Sequence, residues 1–221
     1  MKHSAPGAKG SHVQNIELRE FIDSDFDALA SIVGQAWHRA PDPRDERLGG
    51  AVDLATCLQR TTYTQVSLAG GTPVGFMFAR AGACDPATDK RWAAVRLQNL
   101  QKLRQHNPQL GADLEEYTRI EQRIDAGLLQ AFDRDLDGEY TLFLLAPEAR
   151  GLGLGRTLFE NARAWLAAQG ARRAYLFTDE SCTWGIYEHF GLHRAAEYRS
   201  TPEEARLMLP AYYLYVDELG R

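Results

Sequence analysis

Between Glu139 and Glu160 the chain reads E-Y-T-L-F-L-L-A-P-E-A-R-G-L-G-L-G-R-T-L-F-E, with glycines at 151, 153 and 155. An apolar run of strand composition leads into them and a helical Leu/Phe pattern follows, so the chain must turn there from strand to helix. Glycine weakens a helix by ~1 kcal/mol relative to alanine, and three of them at a helix start call for a reason. A turn of this kind leaves several backbone N–H groups free, and the helix dipole adds partial positive charge. Without side chains at Gly151, Gly153 and Gly155, a phosphate can lie directly against those amides. Arg150 and Arg156 add positive charge at the edges, while Leu152 and Leu154 are expected to point inward. A Walker loop is ruled out because no Gly-Lys-Ser/Thr follows. The dinucleotide fingerprint fits poorly, since the spacing is G-x-G-x-G and residues 147–150 separate strand from glycines. A plain tight turn stays open as the alternative.

Composition narrows the function classes. The net charge of −5 argues against a protein that grips a phosphate backbone, so no nucleic-acid partner is expected. No apolar run approaches the ~20 residues of a membrane span. Three widely spaced cysteines, Cys57, Cys84 and Cys182, suit reduced thiols and show no metal-ligand spacing, and the six histidines show none either. With no secretory signal in residues 1–14, a cytoplasmic location and an unstructured tail are expected. A length of 221 residues favours one domain, here residues 15–221, carrying an insertion.

Periodicity orders the rest. Residues 15–21 alternate as a strand, and Asp23-Ser24-Asp25 caps a helix with the stripe Phe26, Leu29, Ile32, Val33 and Trp37. Pro41 and Pro43 are expected to end it, with a short helix over residues 50–59. Two strands flank Gly70-Gly71 as a hairpin. Residues 82–138 then break the strand pattern. Trp92, Val95, Leu100 and Leu103 mark one helix ending at Asn107-Pro108. Asp113 is expected to cap a second, with Leu114, Tyr117, Ile120, Ile124, Leu128 and Phe132 on one face. Strand 139–146, helix 157–168, strand 172–179, a short helix 183–190 closed by Gly191, and strands 193–199 and 211–216 complete the chain.

The segment P-E-A-R-G-L-G-L-G-R-T-L resembles the acyl-CoA pyrophosphate motif of the GNAT superfamily of N-acyltransferases, Arg/Gln-x-x-Gly-x-Gly/Ala, with Arg150, Gly153 and Gly155 in its three positions. Downstream, W-G-I-Y-E-H-F-G-L is similar to the family's second signature, a Tyr four residues before a Gly-Phe/Leu pair, filled by Tyr187, Gly191 and Leu192. The order of elements matches as well, apart from the helical pair at 82–138. The resemblance implies an α+β fold with a mixed, mostly antiparallel central sheet flanked by helices, here with an inserted helical hairpin.

It also implies a reaction. An amine attacks the thioester of acetyl-CoA directly, through a tetrahedral intermediate. Residues Gly151, Leu152, Gly153, Leu154, Gly155, Arg156 and Thr157, with Arg150, would hold the pyrophosphate. Phe143, Leu144 and Leu145 would pair with the pantetheine arm and supply an oxyanion donor. Tyr187 would protonate the leaving thiolate. Glu139 stands where some members carry the base for the amine, with Asp137 and Glu180 as substitutes. Glu180-Ser181 departs from the Asn many members use against pantetheine. Trp37 and His38 fall where the first helices line the acceptor pocket. No metal is implied, and a homodimer is compatible with the pattern. The different-class alternative is a non-catalytic acyl-CoA-binding or sensing module. The acidic groups of the insertion, among them Asp113, Glu115, Glu116, Glu121 and Asp125, would attract a cationic amine if the hairpin roofs the site. Its apolar stripe from Leu114 to Phe132 would serve a dimer contact if it does not.

Overall fold

A computed structural model describes residues 15–220; the expected tail lies outside the described residues. The strands are β1 (Ile16–Arg19), β2 (Tyr63–Ala69), β3 (Thr72–Ala81), β4 (Gly138–Leu145), β5 (Arg173–Asp179), β6 (His193–Arg199) and β7 (Ala211–Glu218). They form one sheet in the order β1-β2-β3-β4-β5-β7-β6. Every neighbouring pair is antiparallel except β4 with β5.

The helices are α1 (Phe26–Trp37), α2 (Pro43–Leu58), α3 (Pro86–His106), α4 (Pro108–Gln130), α5 (Leu154–Ala168) and α6 (Gly185–His189). Strand alternation sorts them onto two faces. Phe76 and Phe78 turn to the face where Leu29 and Val33 of α1 and Leu54 and Leu58 of α2 cover β2 to β4. Met77 and Ala79 turn to the other, where Leu158, Phe159, Ala162 and Leu166 of α5 pack. The first face continues over β5 and β7, where Ile120, Ile124 and Leu128 of α4 lie on Tyr175, Tyr212, Leu214 and Val216.

Proline reads differently in the structure than in the sequence. Pro43 does not end a helix; it is the first residue of α2, with the Asp42 side chain accepting from Arg44 N–H at 2.8 Å, so α2 starts seven residues before residue 50. In the same way Asn107 caps α4 ahead of Pro108, and Asp113 falls inside the helix rather than at its cap. The helical pair is not a free-standing hairpin. Leu100 and Leu103 of α3 pack with Leu48 and Val52 of α2, and the α4 stripe is spent on the chain's own sheet. Burial of each such side chain stabilises by ~1.5–3 kcal/mol, and it leaves the stripe unavailable as a dimer contact. No helix among the described residues is long and apolar enough to cross a membrane.

Candidate active site

The site begins with a defect in the sheet. β4 and β5 pair only at Gly138↔Ala174 and Glu139↔Tyr175. Against β3 the register of β4 shifts between Phe78 and Ala79, which leaves Thr141 as an extra residue in β4. A bulge bends its strand, and beyond it β4 and β5 separate. Ala146 N–H donates to Val74 O at 2.8 Å. By alternation along an antiparallel pair, Leu144 also turns its N–H and C=O to β3, whereas Phe143 and Leu145 turn theirs into the gap. The three residues expected to face a pantetheine arm thus reduce to two.

At the end of this gap lies the glycine turn. Thr157 N–H is the first amide after Arg150 with a backbone acceptor, Gly153 O at 3.2 Å. The six amides from Gly151 to Arg156 have no protein acceptor among the described residues. Gly151 and Gly153 have φ of 76° and 77°, a conformation that side chains resist. Gly155 has another role: a Cβ there would stand 3.1 Å from Leu145 Cδ1 and 3.3 Å from Phe143 Cζ. Its missing side chain lets α5 close on β4 rather than making room for an anion. Leu154 is buried as expected, but Leu152 is 60% exposed and does not point inward. Arg150, Arg156 and Thr157 are exposed around the turn, with Arg156 3.4 Å from Glu160. Gly153→Val would force a β-branched residue into the left-handed region, so affinity for the acetyl-CoA that the sequence resemblance implies is expected to drop tenfold or more, ~1.4 kcal/mol. A calorimetric titration checks it; unchanged affinity in a folded variant would remove the turn from the binding site.

Tyr187 lies on α6, and the spacing of its motif has a structural cause. Gly191, with φ of 91°, ends the helix; Leu192 N–H donates to Tyr187 O at 3.0 Å and Gly191 N–H to Glu188 O at 3.0 Å. This is the Schellman pattern, which fixes a carbonyl acceptor four residues before the glycine. The Tyr187 ring packs on Phe159 and Tyr215, with centroids 6.4 and 5.8 Å away. Its hydroxyl has no protein partner among the described residues. Burial, with Cys182 and Asp179 nearby, pushes the phenol above its ordinary range, so it keeps its proton. Cys182, whose Sγ is 3.6 Å from Asp179 Oδ2, is also pushed up by burial and stays a thiol.

A buried network that the sequence did not reveal holds α6. Arg163 of α5 donates to Asp217 Oδ2 and Oδ1 at 2.8 and 3.0 Å and to Phe190 O at 2.5 Å. Tyr140 O–H donates to the same Asp217 Oδ2 at 2.7 Å. One guanidinium therefore ties α5, the end of α6, β7 and β4 together.

Glu139 is 2% exposed and already engaged. Arg80 donates to its Oε2 from Nε (3.1 Å) and NH2 (2.7 Å), Arg60 lies 3.3 Å from Oε1, and Tyr175 O–H donates at 3.3 Å. Both oxygens face guanidinium groups, which leaves no direction for an amine proton. Asp137 instead accepts from Arg172 N–H at 3.0 Å, a bond that holds its carboxyl below the usual range, and Glu180 is exposed. Trp37 is 42% exposed and not part of the α1 core. His38 is different: its Nε2 lies 2.6 Å from Asp53 Oδ2, and although burial opposes its charge, Asp53 and Glu46 raise its pKa.

The acids of α4 divide. Asp113, Glu115 and Glu116 pair with Arg206, Arg104 and Arg119. Glu121 and Asp125, one turn apart on α4 and half-buried, have no ion pair among the described residues; Glu121 accepts only from Tyr117 O–H, at 3.3 Å. Burial first, then neighbouring carboxylates, push Glu121 up to about 8. Burial likewise raises Asp125 to about 7, against the pull of Arg60.

Two further features lie elsewhere. Asp42, Asp45 and His106 bring donor atoms within 4.8 Å of one another, a grouping that no sequence spacing announced. His106 Nε2 is 2.7 Å from Asp42 Oδ2, and Asn107 Nδ2 donates to Asp45 Oδ2 at 2.8 Å, so the group clamps the α2–α3–α4 corner. A cavity of about 590 Å³ opens between α2, α3 and α4, and neither Tyr187 nor a residue of the glycine turn lines it.

Residues 114–192 match the model of the Acetyltransferase (GNAT) family, a span that holds α4 from Leu114, β4, the glycine turn, α5, β5 and α6. No curated protein sequence matches the chain. Among solved structures, arylalkylamine N-acetyltransferase 2 from Aedes aegypti is 14% identical with a TM-score of 0.57, over 93% of this chain and 99% of that one. The ribosomal-protein-S18-alanine N-acetyltransferase from Escherichia coli is 13% identical with a TM-score of 0.53, over 94% and 96%. Ard1 from Thermoplasma volcanium is 12% identical with a TM-score of 0.52, over 92% and 97%. At these identities the likeness speaks for the fold, and the fold is that of the GNAT N-acetyltransferases.

Proposed function

We propose that this chain, with the GNAT fold and the family match over residues 114–192, is an enzyme that moves an acetyl group from acetyl-CoA to a primary amine. Residues 15–221 would act as one catalytic unit. The observation that carries this reading is the parallel pairing of β4 and β5 that stops after two residues, beside six unsatisfied amides. A strand with free N–H and C=O groups suits the amide-bearing pantetheine arm, and a run of free amides at a helix start suits its pyrophosphate.

In this reading the amides of Gly151 to Arg156 hold the phosphates, with Arg150 and Thr157 at the rim. Phe143 and Leu145 pair with the arm through the gap, and one of their N–H groups faces the thioester oxygen, where charge develops as the amine attacks. The C–N bond forms, the C–S bond breaks, and Tyr187 gives its proton to the departing sulfur. The side chain of Leu144 would form part of the wall only.

Glu139 fits a positioning role better than that of base. Glu139→Gln would leave Arg60 and Arg80 beside a neutral amide, so a lower melting temperature is expected with the pH–rate profile unmoved. A Glu139→Gln profile that loses its acidic limb, measured between pH 6 and 9, would restore Glu139 as the base.

The test of the reading itself is thiol release from acetyl-CoA in the presence of putrescine, tyramine and an alanyl peptide with a free N-terminus. Saturable, amine-dependent release is expected with at least one of them. Tight acetyl-CoA binding with no release would favour a sensing module instead.

A further inference from the structure

An amine with pKa near 10 reaches a neutral-pH enzyme as an ammonium, and Glu139 offers it no free oxygen. We infer that Glu121, on the inserted helix α4, is the base that takes the proton from the attacking amine, with Asp125 one turn further along setting the charge it faces. The inference rests on the acetyl-transfer reading above and names a group that reading leaves open.

Position comes first. α4 lies on the face of β5 and β7 through Ile120, Ile124 and Leu128. The same face carries Glu139 and Thr141 of β4 and Tyr175, Phe177 and Asp179 of β5, by strand alternation opposite Tyr140, Ala174 and Leu176. Glu121 is linked to the open end of the gap by hydroxyls. Tyr117 O–H donates to its Oε1 at 3.3 Å, and Tyr212 O–H donates to Tyr117 at 3.4 Å. Tyr212 stands opposite Asp179, the last residue of β5, in the β5–β7 register. Asp179 in turn neighbours Cys182 and Tyr187. Tyr117 and Tyr212 thus place Glu121 toward the end of β5 at which Asp179 stands and from which the chain leads into α6.

Two carboxylates at i and i+4 on a helix repel each other, and partial burial raises that cost. The fold meets the cost elsewhere: Glu139 has two guanidiniums and Asp217 one. Among the described residues, Glu121 and Asp125 receive none within ion-pair distance. Of the charged groups facing them, Asp53, Asp179 and Glu139 add to the imbalance, and Arg60 alone opposes it, at Asp125. Asp53 from α2 is paired with His38, Asp179 comes from β5, and Arg60 is held by Glu139. Such a pair, kept apolar-side and unmatched, fits a site whose counter-charge arrives with the substrate.

The proton balance follows. The ammonium gives one proton to Glu121, which passes it to solvent. The amine nitrogen then forms the C–N bond; as the C–S bond breaks, the nitrogen's second proton leaves and the sulfur receives one by way of Tyr187. The products are the amide and the free thiol, with one net proton released.

Burial sets the working range of such a base near pH 8, where Glu121 ionises. Glu121→Gln is therefore expected to lower kcat/KM by ~10²–10⁴-fold at pH 9, and by much less at pH 6, where the wild-type carboxyl is itself protonated. Acetyl-CoA affinity should persist. Asp125→Asn removes a like charge, so the acidic limb of the profile should move to lower pH. A second readout needs no turnover. A carboxyl held protonated to about 8 in the fold but ionising near 4 when unfolded weakens folding progressively as pH rises between those values. Glu121→Gln should therefore melt close to wild type at pH 4.5 and above it from pH 8 upward.

The experiment is kcat/KM for putrescine, tyramine and the alanyl peptide across pH 6–9.5, in wild type, Glu121→Gln and Asp125→Asn, with melting curves at the same pH values. The expected outcome is an alkaline-weighted loss in Glu121→Gln together with its raised melting temperature. Wild-type kcat/KM in Glu121→Gln, with wild type turning over, overturns the base and leaves the acetyl-transfer reading intact. No thiol release by wild type with any of the three amines overturns both.

Discussion

Tyr187→Phe is expected to lower kcat by ~10²–10⁴-fold with acetyl-CoA affinity nearly intact. The substitution keeps the ring against Phe159 and Tyr215 and removes only the hydroxyl. That hydroxyl has no protein partner among the described residues, so its loss leaves no buried group there unsatisfied and should cost little stability. The phenol is pushed above its ordinary range by burial, so it stays protonated through the pH range in which the enzyme would work. The loss should accordingly be flat with pH, unlike that of Glu121→Gln. Single-turnover thiol release checks it, and a wild-type rate would leave Tyr187 as a packing residue.

Arg163→Met should have the largest effect on stability. Asp217 is 3% exposed and would keep only Tyr140 as a donor after losing two N–H bonds from the guanidinium. Breaking a buried pair from one side costs ~3–5 kcal/mol. In a chain of this size each kcal/mol lowers the melting temperature by ~2–4 °C, so a fall of ~6–20 °C is expected. The same change frees Phe190 O at the end of α6, so kcat should fall while acetyl-CoA affinity holds. Asp217→Asn should retain part of both, since the amide still accepts from Arg163. Calorimetric unfolding checks the stability effect, and an Arg163→Met variant that melts with wild type would show that the network carries little of it.

What the sequence made legible was what depends on local pattern. Alternation, apolar runs and a hairpin glycine pair located the strands, and the Tyr187–Gly191 spacing is legible because a helix stop of Schellman type is itself local. The prolines misled because one residue type both ends helices and begins them. Pro43 and Pro108 each follow an Asp or Asn cap, and the cap was the signal that decides. Leu152 misled because inward and outward positions in a glycine turn have no fixed period. The partners of Glu139 were out of reach: Arg80 is 59 residues away in the chain and joins it through the β3–β4 register. The acids of α4 were visible as a group, but which of them lack a partner depends on Arg206, Arg104 and Arg119, brought in by packing. Arg163 and Asp217 carried no signal at all, being single charged residues 54 positions apart.

We propose that acetyl-CoA lies in the gap between β4 and β5 with its phosphates on the glycine turn. Backbone amide chemical shifts, followed by two-dimensional NMR as acetyl-CoA is added, test it residue by residue. Saturable shifts are expected at the amides of Gly151 to Arg156 and at Phe143 and Leu145, with Leu144, bonded to β3, moving less. Shifts confined to residues such as Val52, Leu100 and Leu114, which line the cavity between α2, α3 and α4, with residues 151–156 unmoved, would contradict it.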